Sequence, residues 1–305
     1  MKIKFWGVRG SIPCPGPLTM KYGGNTPCLE VRFPDINRLI IIDAGSGIRE
    51  LGNFMMQHDL PKGPIQTEIF LSHTHWDHIM GFPFFTPIYI PGSRLKVYGP
   101  VSYEQDTLEK IVGGQLTYRY FPIRGEELGA SITYIDLKEG EFDLGDGIKL
   151  TTKYLNHPIL CLGYRFEYQG KVLCTAYDTE PFRNLFITDP AHPSYDEAMA
   201  QEGELVAREQ NEVLEKFIAG ADLLIYDCQY TKAEYERGKA GWGHSYFEYV
   251  CPMAIRNKVK SLALFHHEPM RTDNHIDELT KIHCQSNHNG ATEIFFAREG
   301  TEITL

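Results

Sequence analysis

The sequence predicts a layered α/β protein with β-sheets in the middle, on three observations. Short runs of β-branched and aromatic residues, bounded by Gly, Pro or Asn, recur through the N-terminal half. Stretches with apolar residues at helical spacing interleave with them. The His and Asp residues of chemical interest are spread from position 73 to position 267 with no change of composition between them. A single domain over 1–305 that gathers distant strand ends fits that spread.

The first strands are expected at Lys2 to Val8, Cys28 to Phe33 and Arg38 to Asp43. Ser46 to His58 follows a Gly-rich turn and reads as a helix. Glu68 to Ser72 is the next strand, and it ends where a His cluster begins. Leu95 to Tyr98 continues the series. Ser102 to Val112 opens on a good cap residue and reads as a helix. Ser131 to Ile135, Ile148 to Leu155, Gly163 to Tyr168 and Lys171 to Ala176 are further strands, with Gln169-Gly170 as a tight hairpin turn. Helices are expected at Glu204 to Ala219, Ser245 to Asn257 and Asp273 to Ser286. Between them lie the short buried-strand patterns Asp222 to Tyr226 and Ser261 to Phe265. Glu293 to Ala297 and Glu302 to Leu305 close the chain.

Thirty basic against 40 acidic residues give a net charge of −10, which argues against a broad surface for duplex DNA or long RNA. A small anionic substrate remains compatible, because bound cations reverse the local field. The seven cysteines are odd in number and show no C-x-x-C spacing, as expected of a reduced, cytoplasmic chain. Met1 leads straight into a strand-like run without a signal peptide, and no apolar stretch is long enough to span a bilayer.

The strongest local signal is His73-Thr74-His75-Trp76-Asp77-His78. In extended backbone His73 and His75 point the same way. Asp77 and His78 follow at once, where Gly81 and Pro83 turn the chain into a short helix or loop. Four potential ligands in six residues can bracket a pair of metal ions: imidazole suits Zn, Fe and related ions, and a carboxylate can bind or bridge.

This H-x-H-x-D-H run after a hydrophobic strand resembles the signature of the metallo-β-lactamase superfamily, and the rest of that family's pattern follows in order. Leu155-Asn156-His157-Pro158 resembles the third His of a first metal site, Ala176-Tyr177-Asp178-Thr179 a bridging Asp, and Leu264-Phe265-His266-His267 the last His of a second site. Ile42-Asp43-Ala44-Gly45 resembles the family's Asp-x-Gly turn, a support rather than a ligand. The resemblance covers nearly the whole chain and implies a four-layer αββα sandwich. It implies one divalent ion on His73, His75 and His157 and a second on Asp77, His78 and His266, with Asp178 between them. Zn is the first expectation, with Mn or Fe as alternatives. His266 is preferred over its neighbour His267 because it directly follows the strand; His267 would then lie behind the ligand or face the substrate.

Two ions sharing a water make hydroxide available at neutral pH and clamp phosphoryl or acyl oxygens, and Asp77 would bind metal and orient that water. The superfamily hosts many hydrolytic chemistries, so the fold does not give the substrate. Leu223 to Asp227 is a buried strand ending in an acid, and Trp242-Gly243-His244-Ser245 opens a later segment. The pair is similar to ribonuclease Z and cyclic-nucleotide phosphodiesterase-like members. There a strand-end acid pairs with a His that assists the scissile phosphate. His244 would be the phosphate-facing acid and Asp227 its orienter; ribonuclease Z generally carries Glu where this chain has the shorter Asp227. Gly7 to Pro13 and Tyr22 to Thr26 also look like this branch. Their loops read either as tight turns or as an anion cradle that Arg9 or Asn25 reaches from.

Together these features imply a metal-dependent phosphodiesterase acting on a small diester such as a cyclic nucleotide. Tyr118, Arg119, Tyr120 and Phe121 are candidates to stack on a base and hold phosphate, or else packing aromatics. The alternatives are a ribonuclease Z-like RNA-processing endonuclease, a thioesterase or lactonase, and a metal-bound regulatory module without turnover. No extended insertion rich in Gly, Pro and basic residues that would serve as a tRNA-binding arm is apparent. A homodimer is implied by the family alone.

Overall fold

The computed structural model describes residues 1–101, 106–284 and 292–305. Strands β1 (Lys2–Gly7), β2 (Cys28–Phe33) and β3 (Arg38–Ile42) lead to helix α1 (Ile48–His58) and strand β4 (Gln66–Phe70). A four-residue helix α2 (Trp76–Ile79) precedes β5 (Arg94–Pro100), α3 (Leu108–Val112) and β6 (Ser131–Leu137). Then come β7 (Gly140–Asp143), β8 (Lys149–Tyr154), β9 (Leu162–Tyr168), β10 (Lys171–Ala176) and the long helix α4 (Glu197–Ile218). Strand β11 (Leu223–Asp227), helices α5 (Lys232–Glu236) and α6 (Phe247–Arg256), strand β12 (Ser261–Phe265), helix α7 (Asp273–His283) and strands β13 (Glu293–Phe296) and β14 (Glu302–Thr304) complete the order.

The strands form two seven-stranded sheets, ordered β14-β1-β2-β3-β4-β5-β6 and β13-β12-β11-β10-β9-β8-β7. In the first, β14 to β3 pair antiparallel and β3 to β6 parallel. The second repeats the plan, antiparallel from β7 to β10 and parallel from β10 to β13. Side-chain alternation fixes the layers. On β3, Ile40 and Ile42 point into the space between the sheets, where they meet Phe70, Tyr164, Phe166, Ile225 and Phe265. Ile41 points the other way, onto Ile48, Leu51 and Met55 of α1. On β11, Leu223 and Ile225 face inward while Leu224 and Tyr226 pack under Leu214 and Phe217 of α4 and Val250 and Met253 of α6. The result is the four-layer αββα sandwich that the resemblance implies.

Most expected elements are present with ends shifted by a few residues. Gln169 and Gly170 form the hairpin turn between β9 and β10, both at positive φ. Helix α4 begins at Glu197, earlier than its apolar spacing suggested, because Asp196 caps it and Gly203 lets Asn184 and Phe186 lie against it. Strand β7 and helix α5 are additions to the expected series. The expected helix from Ser102 and the end of the one to Ser286 lie partly outside the described residues.

Candidate active site

The candidate ligand groups and Asp227 sit at or just beyond the C-terminal ends of strands, which the sheets bring together, while His244 lies in the loop between α5 and α6. After β4 the chain delivers His73 and His75, and α2 carries Asp77 and His78. His157 follows β8, Asp178 follows β10, Asp227 ends β11 and His266 follows β12. This is the edge at which parallel α/β sheets present their loops.

Two groups of donor atoms result. His73, His75, His157 and Asp178 form one, and Asp77, His78, Asp178 and His266 the other, each with its atoms within 4.8 Å of one another. Asp178 belongs to both. Its Oδ2 lies 3.6 Å from His73 Nε2 and 3.9 Å from His157 Nε2. Its Oδ1 lies 3.3 Å from both His78 Nε2 and His266 Nε2. Asp77 Oδ2 lies 3.3 Å from His78 Nε2 and 3.1 Å from His266 Nε2. His157 Nε2 is 3.1 Å from His75 Nδ1.

These residues fit divalent metal ions on two independent observations. The first is spacing: ligands about 2.1 Å from a tetrahedral centre stand about 3.4 Å from one another, the separation that recurs here. The second is the state of each ring. His78 Nδ1 lies 2.7 Å from Asp43 Oδ2, His157 Nδ1 lies 3.0 Å from the Gly243 carbonyl, and His73 Nδ1 lies 3.1 Å from Ser72 Oγ. The Ser72 hydroxyl donates to Asp43 Oδ2, so its oxygen accepts from His73. Oxygen acceptors thus hold the Nδ1 proton on three rings and leave the Nε2 lone pairs facing inward. His73 Nε2, His78 Nε2 and Asp178 Oδ1 are buried there without a hydrogen-bond partner among the described residues. Buried polar atoms left unpaired are costly, and a cation satisfies them.

Electrostatics agree. Burial opposes charge on Asp178 and Asp77, but His266 and His78 beside the first and His78 and His266 beside the second hold both carboxyls well below the usual carboxylate range. Burial drives His73 well below the ordinary imidazole value and His157 down to about 4, which favours the neutral rings that ligands need. At His78, by contrast, burial is outweighed by the Asp178, Asp77 and Asp43 carboxylates, which hold it well above that value, a charge that a bound cation would replace.

Backbone strain concentrates at the same place. Of the eight non-glycine residues at positive φ among those described, four are Ser11, Asp43, Asp178 and His266. Such conformations persist where the surroundings over-determine them, typically at functional sites.

The Asp227–His244 pair adjoins the second group. His244 Nδ1 lies 3.3 Å from Asp227 Oδ2, and Asp227, His244 and His266 offer donor atoms within 4.8 Å of one another. Asp227 is buried and also accepts from the Ser245 amide at 2.9 Å, which fixes the turn carrying His244. Burial depresses His244, but the Asp227 carboxylate, aided by Asp178 and Asp77, more than reverses this and raises it to about 9. The rings of His244 and His266 stack with centroids 4.9 Å apart.

Some expectations are corrected. Arg9 does not point into the site: its guanidinium is buried and donates to the carbonyls of Gly23, Glu268 and Arg271. Asn25 bonds to Glu299 and Ser46. The N-terminal loop instead reaches the cluster through its backbone, with the Ser11 amide donating to Asp77 Oδ2 at 2.7 Å. Gly10 allows that approach, since a Cβ there would stand 2.5 Å from His266 Nδ1. His267 turns away from the cluster, and its Nε2 bonds to the Ala297 carbonyl at 2.7 Å. Gln229 went unrecognised in the sequence, yet its amide end lies 3.0 Å from His266 Nδ1. Tyr118 and Tyr120 are exposed, with Arg124 stacked over Tyr118, while Phe121 packs on Phe84.

Comparison with known protein families finds no match. Among curated proteins, ribonuclease Z of Lactococcus lactis subsp. lactis is 26% identical over 298 residues, spanning 87% of this chain and 88% of that protein. Among solved structures, the metallo-β-lactamase fold protein YhfI from Bacillus subtilis superposes with a TM-score of 0.63 at 17% identity, covering 99% of this chain and 98% of that one. The short form of human tRNase Z (ELAC1) superposes with a TM-score of 0.61 at 18% identity, covering 100% and 99%. The fold is the metallo-β-lactamase fold, and the likeness in sequence is to proteins named ribonuclease Z and ribonuclease BN.

Proposed function

We propose that the chain, acting as one domain over 1–305, is a metal-dependent phosphodiesterase that hydrolyses a small phosphodiester such as a cyclic nucleotide. The observation that carries this reading is the Asp227–His244 pair set against the candidate ligand His266. Beyond what the ions would supply, the departing alkoxide of a nucleotide diester needs a proton, whereas the thiolate of a thioester leaves readily without one.

His73, His75 and His157 would hold one divalent ion and Asp77, His78 and His266 a second, with Asp178 shared and Zn the first candidate. Bound there, two divalent ions lower the pKa of a shared water and neutralise phosphoryl oxygens. Asp43 and Ser72 keep the ligand imidazoles in the tautomer that offers Nε2. The Ser11 amide holds Asp77 in place. Asp227 accepts from His244 Nδ1 and favours the protonated ring, so that its Nε2 can give a proton to the leaving oxygen. The net charge of −10 favours a small diester over a long polyanion. The seven free cysteines accord with a reducing, cytoplasmic setting. Among the described residues no helix is long and apolar enough to cross a membrane.

A second reading, an RNA-processing endonuclease, draws on the likeness to ribonuclease Z across 87% of the chain. One assay panel separates them. Metal-loaded protein is offered bis-p-nitrophenyl phosphate, cyclic mononucleotides, a tRNA precursor and an acyl thioester, with metal content measured in parallel. We expect cyclic-mononucleotide turnover that falls about 10²–10⁴-fold in His244→Ala at unchanged metal content, and bis-p-nitrophenyl phosphate, whose p-nitrophenolate leaves without a proton, to fall far less. Cleavage of the precursor alone would favour the second reading, and thioester turnover with inert diesters would sink both.

A further inference from the structure

Two of the chain's three tryptophans, Trp76 and Trp242, are exposed, at 81% and 56%, and each stands within two residues of a group in the candidate site. The third, Trp6, packs on Phe54 and donates its indole N–H to Glu30. Trp242 lies in a turn whose glycines Gly238, Gly241 and Gly243 all have positive φ. The same turn gives the Gly243 carbonyl to His157 and carries His244. Lys239 Nζ sits 3.9 Å from the centre of the Trp242 ring and 5.6 Å from that of Tyr230. The Tyr230 ring meets His244 edge to face, with centroids 6.2 Å apart. A continuous row therefore runs from His244 through Tyr230 and Lys239 to Trp242. No carboxylate lies within ion-pair distance of Lys239 among the described residues, so its ammonium is held by ring faces alone.

We infer that Trp242, backed by Lys239, is the platform on which a nucleobase stacks while its phosphodiester lies at His244. This assignment rests on the phosphodiesterase reading and sharpens it to diesters that carry a base. An exposed indole offers a wide flat face at low conformational cost, and base–aromatic stacking tolerates any base. A cation resting on one face of the ring leaves the other for the base and adds positive charge beside an anionic ligand. The platform lies on the Gly238–Gly243 turn rather than at Tyr118, Arg119, Tyr120 and Phe121.

The test compares thymidine 5′-(p-nitrophenyl) phosphate with 1,2-dideoxyribose 5-(p-nitrophenyl) phosphate, which share a leaving group and a sugar and differ in the base. Wild-type protein should prefer the base-bearing ester at least about tenfold in kcat/KM, chiefly through KM. Trp242→Leu should bring that ratio close to one, and Trp242→Phe should restore part of it. An independent readout is tryptophan emission of the metal-loaded protein titrated with AMP. AMP should quench wild type but not Trp242→Phe, and ribose 5-phosphate should quench neither. Equal kcat/KM for the two esters in wild type, or a ratio unmoved by Trp242→Leu, overturns the platform and leaves the phosphodiesterase reading standing. Turnover of neither ester, with quenching by AMP that depends on Trp242, retains the platform and removes the phosphodiesterase reading.

Discussion

Asp43 Oδ2 lies 2.7 Å from His78 Nδ1, and both side chains are fully buried. The same carboxylate accepts the Ser72 amide on Oδ1 and the Ser72 hydroxyl on Oδ2. One residue thus sets the proton of His78 directly and that of His73 through Ser72. Asp43→Asn keeps the shape but presents an NH2 group to His78 Nδ1, which then must accept, so the ring proton moves to Nε2 and blocks the lone pair. Metal affinity should fall about 10–100-fold while the protein stays folded. Competition with a chromophoric chelator measures it, and an unchanged affinity would show that Asp43 only supports the turn.

That relationship marks how far the sequence could be read. The candidate ligands were legible because most of them follow a short apolar strand, as His73 follows β4 and His266 follows β12. Period and chemistry change within one or two residues there. The two readings of the Arg9 loop stayed open in the sequence because Arg9's partners, the carbonyls of Gly23, Glu268 and Arg271, carry no side-chain signature and two of them lie over 250 residues away. Strand β7 was missed because it is a four-residue edge strand with no fully buried position. Gln229 was missed because a lone amide has many uses, and only its distance to His266 Nδ1 gives it one.

Phe70 tests how firmly the packing between the sheets holds the cluster. It is fully buried at the end of β4, stacked on Tyr98 at 4.5 Å and edge-on to Tyr164 and Phe166. Phe70→Ala should cost about 3–5 kcal/mol, since neighbours from both sheets cannot close the cavity together. Urea unfolding of the two proteins gives the difference; a loss below about 1 kcal/mol would mean that the sheets close up freely.

His283 should make stability depend on pH. It is half-buried against the Phe247 ring, with centroids 4.9 Å apart, and burial lowers it from its ordinary 6.5. The folded protein therefore takes up this proton less readily than the unfolded chain. The contribution is complete above about 6.5 and is lost as pH falls through the lower folded value. The wild type's advantage over His283→Gln in thermal unfolding should be largest above that pH and shrink toward pH 5. A difference that does not vary with pH would show that the ring acts by packing alone.

Gly243 links the two halves of the proposed machinery, because its carbonyl holds His157 and its amide bond leads to His244. A Cβ at this position would stand 2.2 Å from His157 Nδ1, and the backbone φ of +80° disfavours any L side chain. Gly243→Ala should therefore both strain the turn and push His157 from its place. Gly241→Ala separates the two effects. At φ +92° it carries a similar backbone penalty, but its Cβ would meet only the Arg183 guanidinium, at 3.3 Å. Both variants should lose more than about 1 kcal/mol of stability. Gly243→Ala alone should also lose about 100-fold in diester turnover, since displacing a positioned group by an ångström costs that much. Equal turnover in the two variants would mean that the Gly243 carbonyl, and not the absence of a side chain, is all that His157 requires.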